Sequence, residues 1–367
     1  MNSSRFLLLL VLFFSLESKS LVSYWQTRLP ENLEFNINED LEDRVEFWMK
    51  IYSYYNSKQG VFHLVDDPSL ILGELDLTAI IDNNSLSQNQ KTKLINQEIS
   101  KQRLQAQKRW KISDINKIRL QMGLKDRMQR AFFYAGRYLP MMEEIFKSEG
   151  LPIELTRIVF VESSFNTAAQ SKVGASGLWQ IMPSTAKPYG YLHKNYDKRN
   201  HPIYATKLAA RILKSNYKAL KAWPLAITAY NHGAAGVQRM VDLNRSRAIE
   251  DLIDTTETTK SWGFASKNFY ACFLAVLNVE RNAEELFGKN ILTSQYKAYK
   301  ELYLAKNTPK KKVMSWYNGS LTRLQQFNPH LNWSAISKNK YLPAGIPLII
   351  SSENYRLAKA YSLKSQN

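Results

Sequence analysis

"VESSFNTAAQSKVGASGLWQIMPSTAKPYG", Val161 to Gly190, holds one carboxylate, Glu162, then small and hydroxyl-bearing residues, then a Gly-Leu-Trp-Gln-Ile-Met run. Upstream, Leu151, Leu155, Ile158, Val159 and Glu162 recur at helical spacing and share one face. The acid therefore ends an apolar stripe just where Ser163-Ser164 breaks the pattern. Most helix glutamates are solvated. One that emerges from an apolar face into a loop is partly desolvated, which disfavours its charged form and suits a general acid at neutral pH. Gly174 and Gly177 bracket a tight Ala-Ser turn that can approach a ligand closely. Gln180 offers a donor and an acceptor, and Trp179 and Met182 offer apolar surface.

Working outward, "WPLAITAYNHG" is an apolar helix ending at Tyr230-Asn231, with His232-Gly233 as the stop. A tyrosine hydroxyl and an asparagine amide there could orient a carboxylate or hold an acetamido group. Other chemistries find less support. No Gly-x-Ser-x-Gly occurs, and the single cysteine, Cys272, sits in the apolar run "FYACFLAVL" as a small core residue. The five histidines (His63, His193, His201, His232 and His330) show no metal-ligand spacing, so no metal and no cofactor is expected. His201 and His232 read as loop residues.

At 367 residues, 44% hydrophobic and 22% charged, the chain is globular and long enough for two or three domains. "MNSSRFLLLLVLFFSLESKS" reads as an export signal: Arg5, the apolar run Phe6 to Leu16, then Ser18-x-Ser20. Eleven apolar residues rise about 16 Å as a helix, short of a bilayer core of roughly 30 Å. No later stretch is long and apolar enough to span, so an exported soluble chain is expected, periplasmic or at the cell envelope. The formal charge of +18 points to an anionic partner. With no nucleic-acid module, an acidic wall polymer fits better than nucleic acid, with peripheral membrane association as a secondary expectation.

Residues 21–130 read as a helical N-terminal region, with a turn at Ser57–Gly60 and a short extended run after it. Asp82 to Lys93 reads as a loop, and Leu94 to Arg130 as helical on the spacing of Ile99, Leu104, Trp110, Ile115, Ile118, Leu120 and Met128. Residues 131–290 form the dense helical region, broken at Gly150-Leu-Pro152, Gly174 to Gly177, Pro183 to Pro202 and Gly233. Residues 305–355 read as a small mixed α/β module closing on the extended run Ile346 to Ile350.

Glu162-Ser163, Ser171, Gly174-Ala175, Gly177-Leu-Trp-Gln180-Ile-Met182 and Ala229-Tyr230-Asn231 resemble, in order and spacing, the three motifs of the Slt-type lytic murein transglycosylases. "IRLQMGLKDRMQRAF", "GRYLPMMEEIFKSEGLPIEL", "VEFWMKIYSYY" and "GFASKNFYACFLAVL" resemble the membrane-bound lytic murein transglycosylase D subgroup. The resemblance covers roughly residues 40 to 285. It implies a mainly α fold: a lysozyme-like helical catalytic domain, a helical N-terminal region and a small C-terminal α/β, LysM-like module. It implies Glu162 as the single catalytic acid and Ser163, Ser171, Gln180, Met182, Tyr230, Asn231 and Tyr270 as substrate-binding positions. It also implies a monomer acting on peptidoglycan glycan strands. Two departures stand out: His201 lies where the subgroup usually carries Asp, and His232 where a small residue is usual. The implied reaction cleaves the bond between N-acetylmuramic acid and N-acetylglucosamine without water, leaving 1,6-anhydro ends. A goose-type-lysozyme-like hydrolase and an inactive wall-binding protein are the alternatives. The C-terminal segments Leu324 to Leu331 and Leu342 to Ile350 resemble the lysin motif, though its opening Gly-Asp-Thr-Leu is missing.

Overall fold

The computed structural model describes residues 29, 33–289, 291–294 and 299–363, so the segment read as an export signal lies outside the described residues. Helix α1 (Glu39–Ser53) is capped by the Asn38 side chain, which accepts from the Leu41 amide at 3.1 Å, and carries three acids in its first turn. Leu41, Val45, Trp48, Ile51 and Tyr52 form its buried face.

The N-terminal region then departs from an all-helical reading. Strands β1 (Gln59–Leu64), β2 (Ile71–Asp76) and β3 (Ile118–Met122) form an antiparallel sheet in the order β2-β1-β3, pairing Val61 with Glu74 and Phe62 with Leu120. Ile118 and Leu120, expected on a helix, are therefore in a strand. The alternation in Ile118-Arg-Leu-Gln-Met has a period of two, which a short window cannot separate from sparse helical spacing. Helix α2 (Gln88–Arg109) also begins inside the segment read as a loop. Its start is a capping box, in which the Gln90 amide bonds Ser87 Oγ and the Ser87 amide bonds Gln90 Oε1. The polar S-x-x-Q there announces a helix N-terminus, and the thinly apolar helix that follows gives little periodicity.

The central body is helical, as expected. Helix α3 (Lys125–Ser148) buries Phe132, Ala135, Leu139, Met142 and Phe146, an apolar stripe at alternating three- and four-residue steps. A tight 3-10 turn (Ile153–Arg157) runs into helix α4 (Ile158–Ser163). The apolar face leading to Glu162 thus spans a 3-10 turn and a short helix rather than one helix. Pro152 is the N-cap of that turn. Helices α5 (Pro202–Leu220), α6 (Trp223–His232) and α7 (Ala234–Asn244) pack beside α3 and α8 (Phe264–Arg281). Helix α8 is apolar almost all round, with Ala271 and Phe273 to Leu277 inaccessible to solvent, which makes it the central strut. Cys272 is core as expected, and burial pushes its thiol up to about 12. Helix α1 is tied to α8 through Asn268 Oδ1, which accepts from Trp48 Nε1 at 3.0 Å and Arg44 Nη1 at 3.2 Å.

The C-terminal module has its own core, in which Val313, Trp316, Leu324, Ile336, Leu348 and Ile350 meet. Strand β4 (Tyr299–Tyr303) pairs antiparallel with β5 (Pro347–Ser351), with Glu301 opposite Ile349, helix α9 (Leu321–Phe327) lies between them in sequence, and α10 (Ser352–Leu363) follows.

This module is sewn to the loop preceding α5. The Asp197 amide donates to His330 O at 2.8 Å, the Asn332 amide to Asn195 O at 2.8 Å, and Asn332 Nδ2 to Lys194 O at 2.9 Å. The Tyr204 hydroxyl bonds the Glu301 carboxylate. His201, read as a loop residue, is instead the buried N-cap of α5, its ring 4.4 Å from that of His330. His201 Nδ1 accepts from the Tyr204 amide at 3.4 Å, while His330 Nε2 donates to Pro347 O at 2.8 Å. The remaining nitrogens, His201 Nε2 and His330 Nδ1, are buried without partners among the described residues. Burial holds both imidazoles neutral, His330 down at about 4 and His201 well below its usual value.

Candidate active site

Glu162 is placed by a chain reversal that costs backbone strain. Helix α4 ends at Ser164 in the left-handed region (φ 50°), and Phe165 follows at φ 58°. Two consecutive non-glycine residues in that region cost on the order of 1–3 kcal/mol each, sustained only where surroundings over-determine them. Phe165 is buried against Phe160 at 4.8 Å, and Ser163 Oγ donates to Leu178 O at 2.7 Å. From below, Arg157 anchors the start of α4 to α8, donating to Glu280 at 2.8 and 2.6 Å, and it also pairs with Glu143.

The Gly-rich segment folds back over this helix end. Ser171 closes a turn in which its Oγ accepts from the Ala175 amide at 2.9 Å. Gly177 has φ 78°, and a Cβ there would fall 2.3 Å from Arg199 O, so only glycine fits. Gln180, itself at φ 45°, donates from Nε2 to Ala169 O at 3.1 Å and Gly177 O at 2.9 Å, which leaves its carbonyl oxygen available. Trp179 is core rather than groove: it is fully buried, stacks on Phe146 and donates to Thr206 at 2.9 Å. Tyr230 reaches under the segment and donates to Trp179 O at 2.8 Å.

Glu162, Ser163, Ser171 and Gln180 line one open cavity of about 1210 Å³. Among the described residues lining it, Glu162 is the only carboxylate. It accepts no hydrogen bond among the described residues, and desolvation pushes it up to about 8, so it is protonated at neutral pH. Burial, with the Glu162 charge adding to it, holds the Tyr230 hydroxyl well above its usual range. Other expected positions lie elsewhere. Met182 is the partly exposed N-cap of the next short helix, Asn231 is exposed near the end of α6, and neither lines this cavity. Tyr270 is buried in α8 against Phe273, and burial, with the Glu250 charge adding to it, holds its hydroxyl above the usual range.

Three contributors went unread in the sequence. Tyr52 from α1 lines the cavity, and Glu162 helps keep its hydroxyl protonated, after burial and Cys272. From α3 come Arg127, Arg130, Tyr134 and Arg137, which share a helix face at steps of 3, 4 and 3. That spacing was legible, but nothing local said which way the face points. From the C-terminal module come Gln325, Gln326 and Pro329.

Residues 141–253 match the family described as transglycosylase SLT domain. The chain is 26% identical over 196 residues to membrane-bound lytic murein transglycosylase D of Escherichia coli K12, covering 52% of this chain and 42% of that protein. It is 32% identical over 131 residues to membrane-bound lytic murein transglycosylase C of Glaesserella parasuis, covering 32% of this chain and 36% of that one. Among solved structures, lytic transglycosylase Slt of Pseudomonas aeruginosa aligns at 22% identity and a TM-score of 0.31, over 41% of this chain and 25% of that one. The chain thus spans about two-fifths of the length of the first curated relatives it matches. The matched stretch, residues 141–253, is the one that carries Glu162, the Gly174–Gly177 turn and Tyr230.

Proposed function

We propose that the protein is a peptidoglycan lytic transglycosylase. The observation that carries this reading is the solitary, desolvated carboxylate in an open cavity of about 1210 Å³. Hydrolysis by ordinary glycosidases uses two carboxylates flanking the bond, about 5 to 9.5 Å apart, and no second acid lines this cavity among the described residues. With one acid, the substrate must supply the other group. Glu162 protonates the glycosidic oxygen as the bond between N-acetylmuramic acid and N-acetylglucosamine breaks. The neighbouring acetamido oxygen steadies the cationic carbon. Glu162, now ionised in an apolar site, is a strong enough base to take the proton from the C6 hydroxyl of the same ring. That oxygen closes on the anomeric carbon, giving the 1,6-anhydro end with no water consumed, and intramolecular attack profits from high effective concentration.

In this reading Ser171 and the Gln180 carbonyl hold sugar hydroxyls. Tyr230 props the loop beneath the acid through Trp179 O, and Ser163 fixes the helix end. Export across the membrane, a periplasmic location and the limits 1–20, 21–130, 131–290 and 305–355 for signal, N-terminal region, catalytic domain and module belong to the same proposal. No helix among the described residues is long and apolar enough to cross a membrane, and the named relatives are membrane-bound murein transglycosylases. The antiparallel pairing of β4 with β5 around three short helices (Lys310–Ser315, Leu321–Phe327 and Trp333–Ile336) supports the LysM-like reading of the module.

The test is digestion of purified sacculi by the wild-type chain and by Glu162→Gln, with products read by mass spectrometry. Muropeptides lighter by one water, lost in the variant, are the expected result. Reducing muramyl ends would instead identify a hydrolase, and equal solubilisation by both proteins would remove Glu162 from the chemistry.

A further inference from the structure

We propose that the C-terminal module is a wall of the catalytic groove rather than a tethered accessory, and that Gln325 and Gln326, with the arginine row of α3, select strands by the peptide substituent on the muramyl ring. This rests on the transglycosylase reading above.

Three observations carry it. First, Gln325, Gln326 and Pro329 line the same cavity as Glu162, more than 160 residues away in sequence. Second, their placement is fixed. Leu324 is buried in the module core, so the next two residues of α9 face outward. Asn328, fully buried, donates to the Tyr317 hydroxyl at 3.0 Å and Leu324 O at 2.9 Å and accepts from the Ile349 amide at 2.7 Å. Pro329 therefore sits between Asn328, locked in the core, and His330, pressed on His201 at the seam. The seam is reinforced by the Lys198 ammonium, which lies 4.4 Å from the Tyr204 ring and 5.5 Å from that of Tyr303 in β4. A module held this way cannot swing clear of the groove without breaking buried contacts.

Third, the chemistry of the lining exceeds what an uncharged sugar chain needs. Sugar hydroxyls and acetamides ask for neutral donors and acceptors. The cavity instead gathers Arg127, Arg130 and Arg137. Among the carboxylates that line it only Glu162 could offset them, and it is protonated at neutral pH. Arg130 has a neighbour in Asp126 at 3.6 Å, an exposed pair that binds weakly. Guanidinium groups in a row are matched to carboxylates, and glutamine side chains, each donor and acceptor, are matched to amides. A short chain of amides bearing carboxylates, attached to the muramyl ring, meets both sets.

The experiment uses the full chain and two preparations of the same glycan strands, one peptide-bearing and one stripped of peptide by an amidase, with the lactyl carboxylates so uncovered capped as simple amides to remove their charge. Loss of a neutral hydrogen bond is worth about fivefold, so the kcat/KM ratio of peptide-bearing to stripped strands should fall about fivefold or more in Gln325→Ala/Gln326→Ala, chiefly through KM. Arg127→Glu/Arg130→Glu should lower the ratio further, with the effect shrinking at high salt. Lys311→Ala, an exposed site on the module outside the cavity, is the control. A ratio unchanged in both double variants, or an equal fall on both preparations, overturns the inference while leaving the transglycosylase reading intact. A wild-type chain that cuts neither preparation overturns that reading itself.

Discussion

Arg157 and Glu280, 123 residues apart in sequence, meet in the interior through two hydrogen bonds of 2.8 and 2.6 Å, directly below the helix that presents Glu162. The arginine also bonds Thr156 Oγ1 at 2.9 Å and pairs with Glu143, so its donors are satisfied without water. The pair couples the α4 end of the site to the central strut α8. Replacing the arginine would leave Glu280 buried and uncompensated, a cost on the order of 3–5 kcal/mol. Arg157→Met should therefore lower stability by that amount in urea unfolding, with Glu280→Gln in the same chain recovering part of it. A loss under about 1 kcal/mol would mean the network is dispensable.

Activity should follow the ionisation of Glu162. In the proposed reaction Glu162 must carry a proton at the outset, and burial holds it up at about 8. The rate under kcat/KM conditions is expected to be flat near neutrality and to fall as pH rises through about 8. Glu162→Gln should cost about 10²–10⁴-fold or more in turnover. A profile that instead falls between pH 4 and 5 would show an acid with an ordinary pKa.

The same group sets a stability signature of opposite benefit. The folded carboxyl holds its proton more tightly than the unfolded one, so the fold binds more protons between pH 4.5 and about 8, and stability declines as pH rises through that window. Glu162→Gln removes this penalty. The variant is expected to match wild type near pH 4 and to be more stable by about 1–3 kcal/mol at pH 9, measured by chemical unfolding. A variant less stable than wild type at pH 9 would show that the carboxylate is held favourably after all.

The seam between the module and the catalytic body should weaken in acid. His330 and His201 are held neutral by burial, and the charges around them are Lys198 for both, Lys207 for His201 and Asp197 for His330. Histidines with lowered folded pKa stabilise the fold fully above the unfolded value near 6.5 and lose that contribution as pH falls toward about 4. Proton NMR should find three imidazoles that stay neutral well below pH 6, His201, His330 and His63, which burial also holds down at about 4, and His330→Gln should flatten the stability loss between pH 6.5 and 4. Ordinary titration near 6.5 for all five rings would contradict the buried pairing.

Gly177→Ala should damage the site more than the fold. The added methyl would meet Arg199 O at 2.3 Å in a left-handed backbone, displacing the turn that carries Gln180. A loss of at least tenfold in turnover with cooperative unfolding retained is expected, and near-wild-type kinetics would show the loop to be plastic.

How much of this was legible beforehand follows from the range of the forces involved. The apolar stripe ending at Glu162, the glycine turn and the helix stop at Gly233 are local patterns, and they put Glu162 at the end of an apolar face in a mainly α body, where the structure has it. Ile118 to Met122 and the start of α2 were misassigned because a five-residue alternation and a polar cap give weak periodic signals. The groove's other walls were out of reach for a different reason. Tyr52, the α3 arginines and Gln325 share no local pattern with Glu162, and only tertiary packing brings them to one cavity. His201 looked like loop punctuation because its reason for being there, the ring of His330, lies 129 residues further on.

Helix α8 lies beyond residue 253, and α1 lies well before residue 141, yet both are built into the same interior as Glu162. The stretch matched by similarity is therefore shorter than the core into which it is packed. Excising residues 141–253 would part α4 and α6 from α8, against which they pack, baring a broad apolar face to water. A laboratory chimera that takes the acid loop must accordingly take its struts with it, because a loop grafted alone leaves behind the helices that hold it in place.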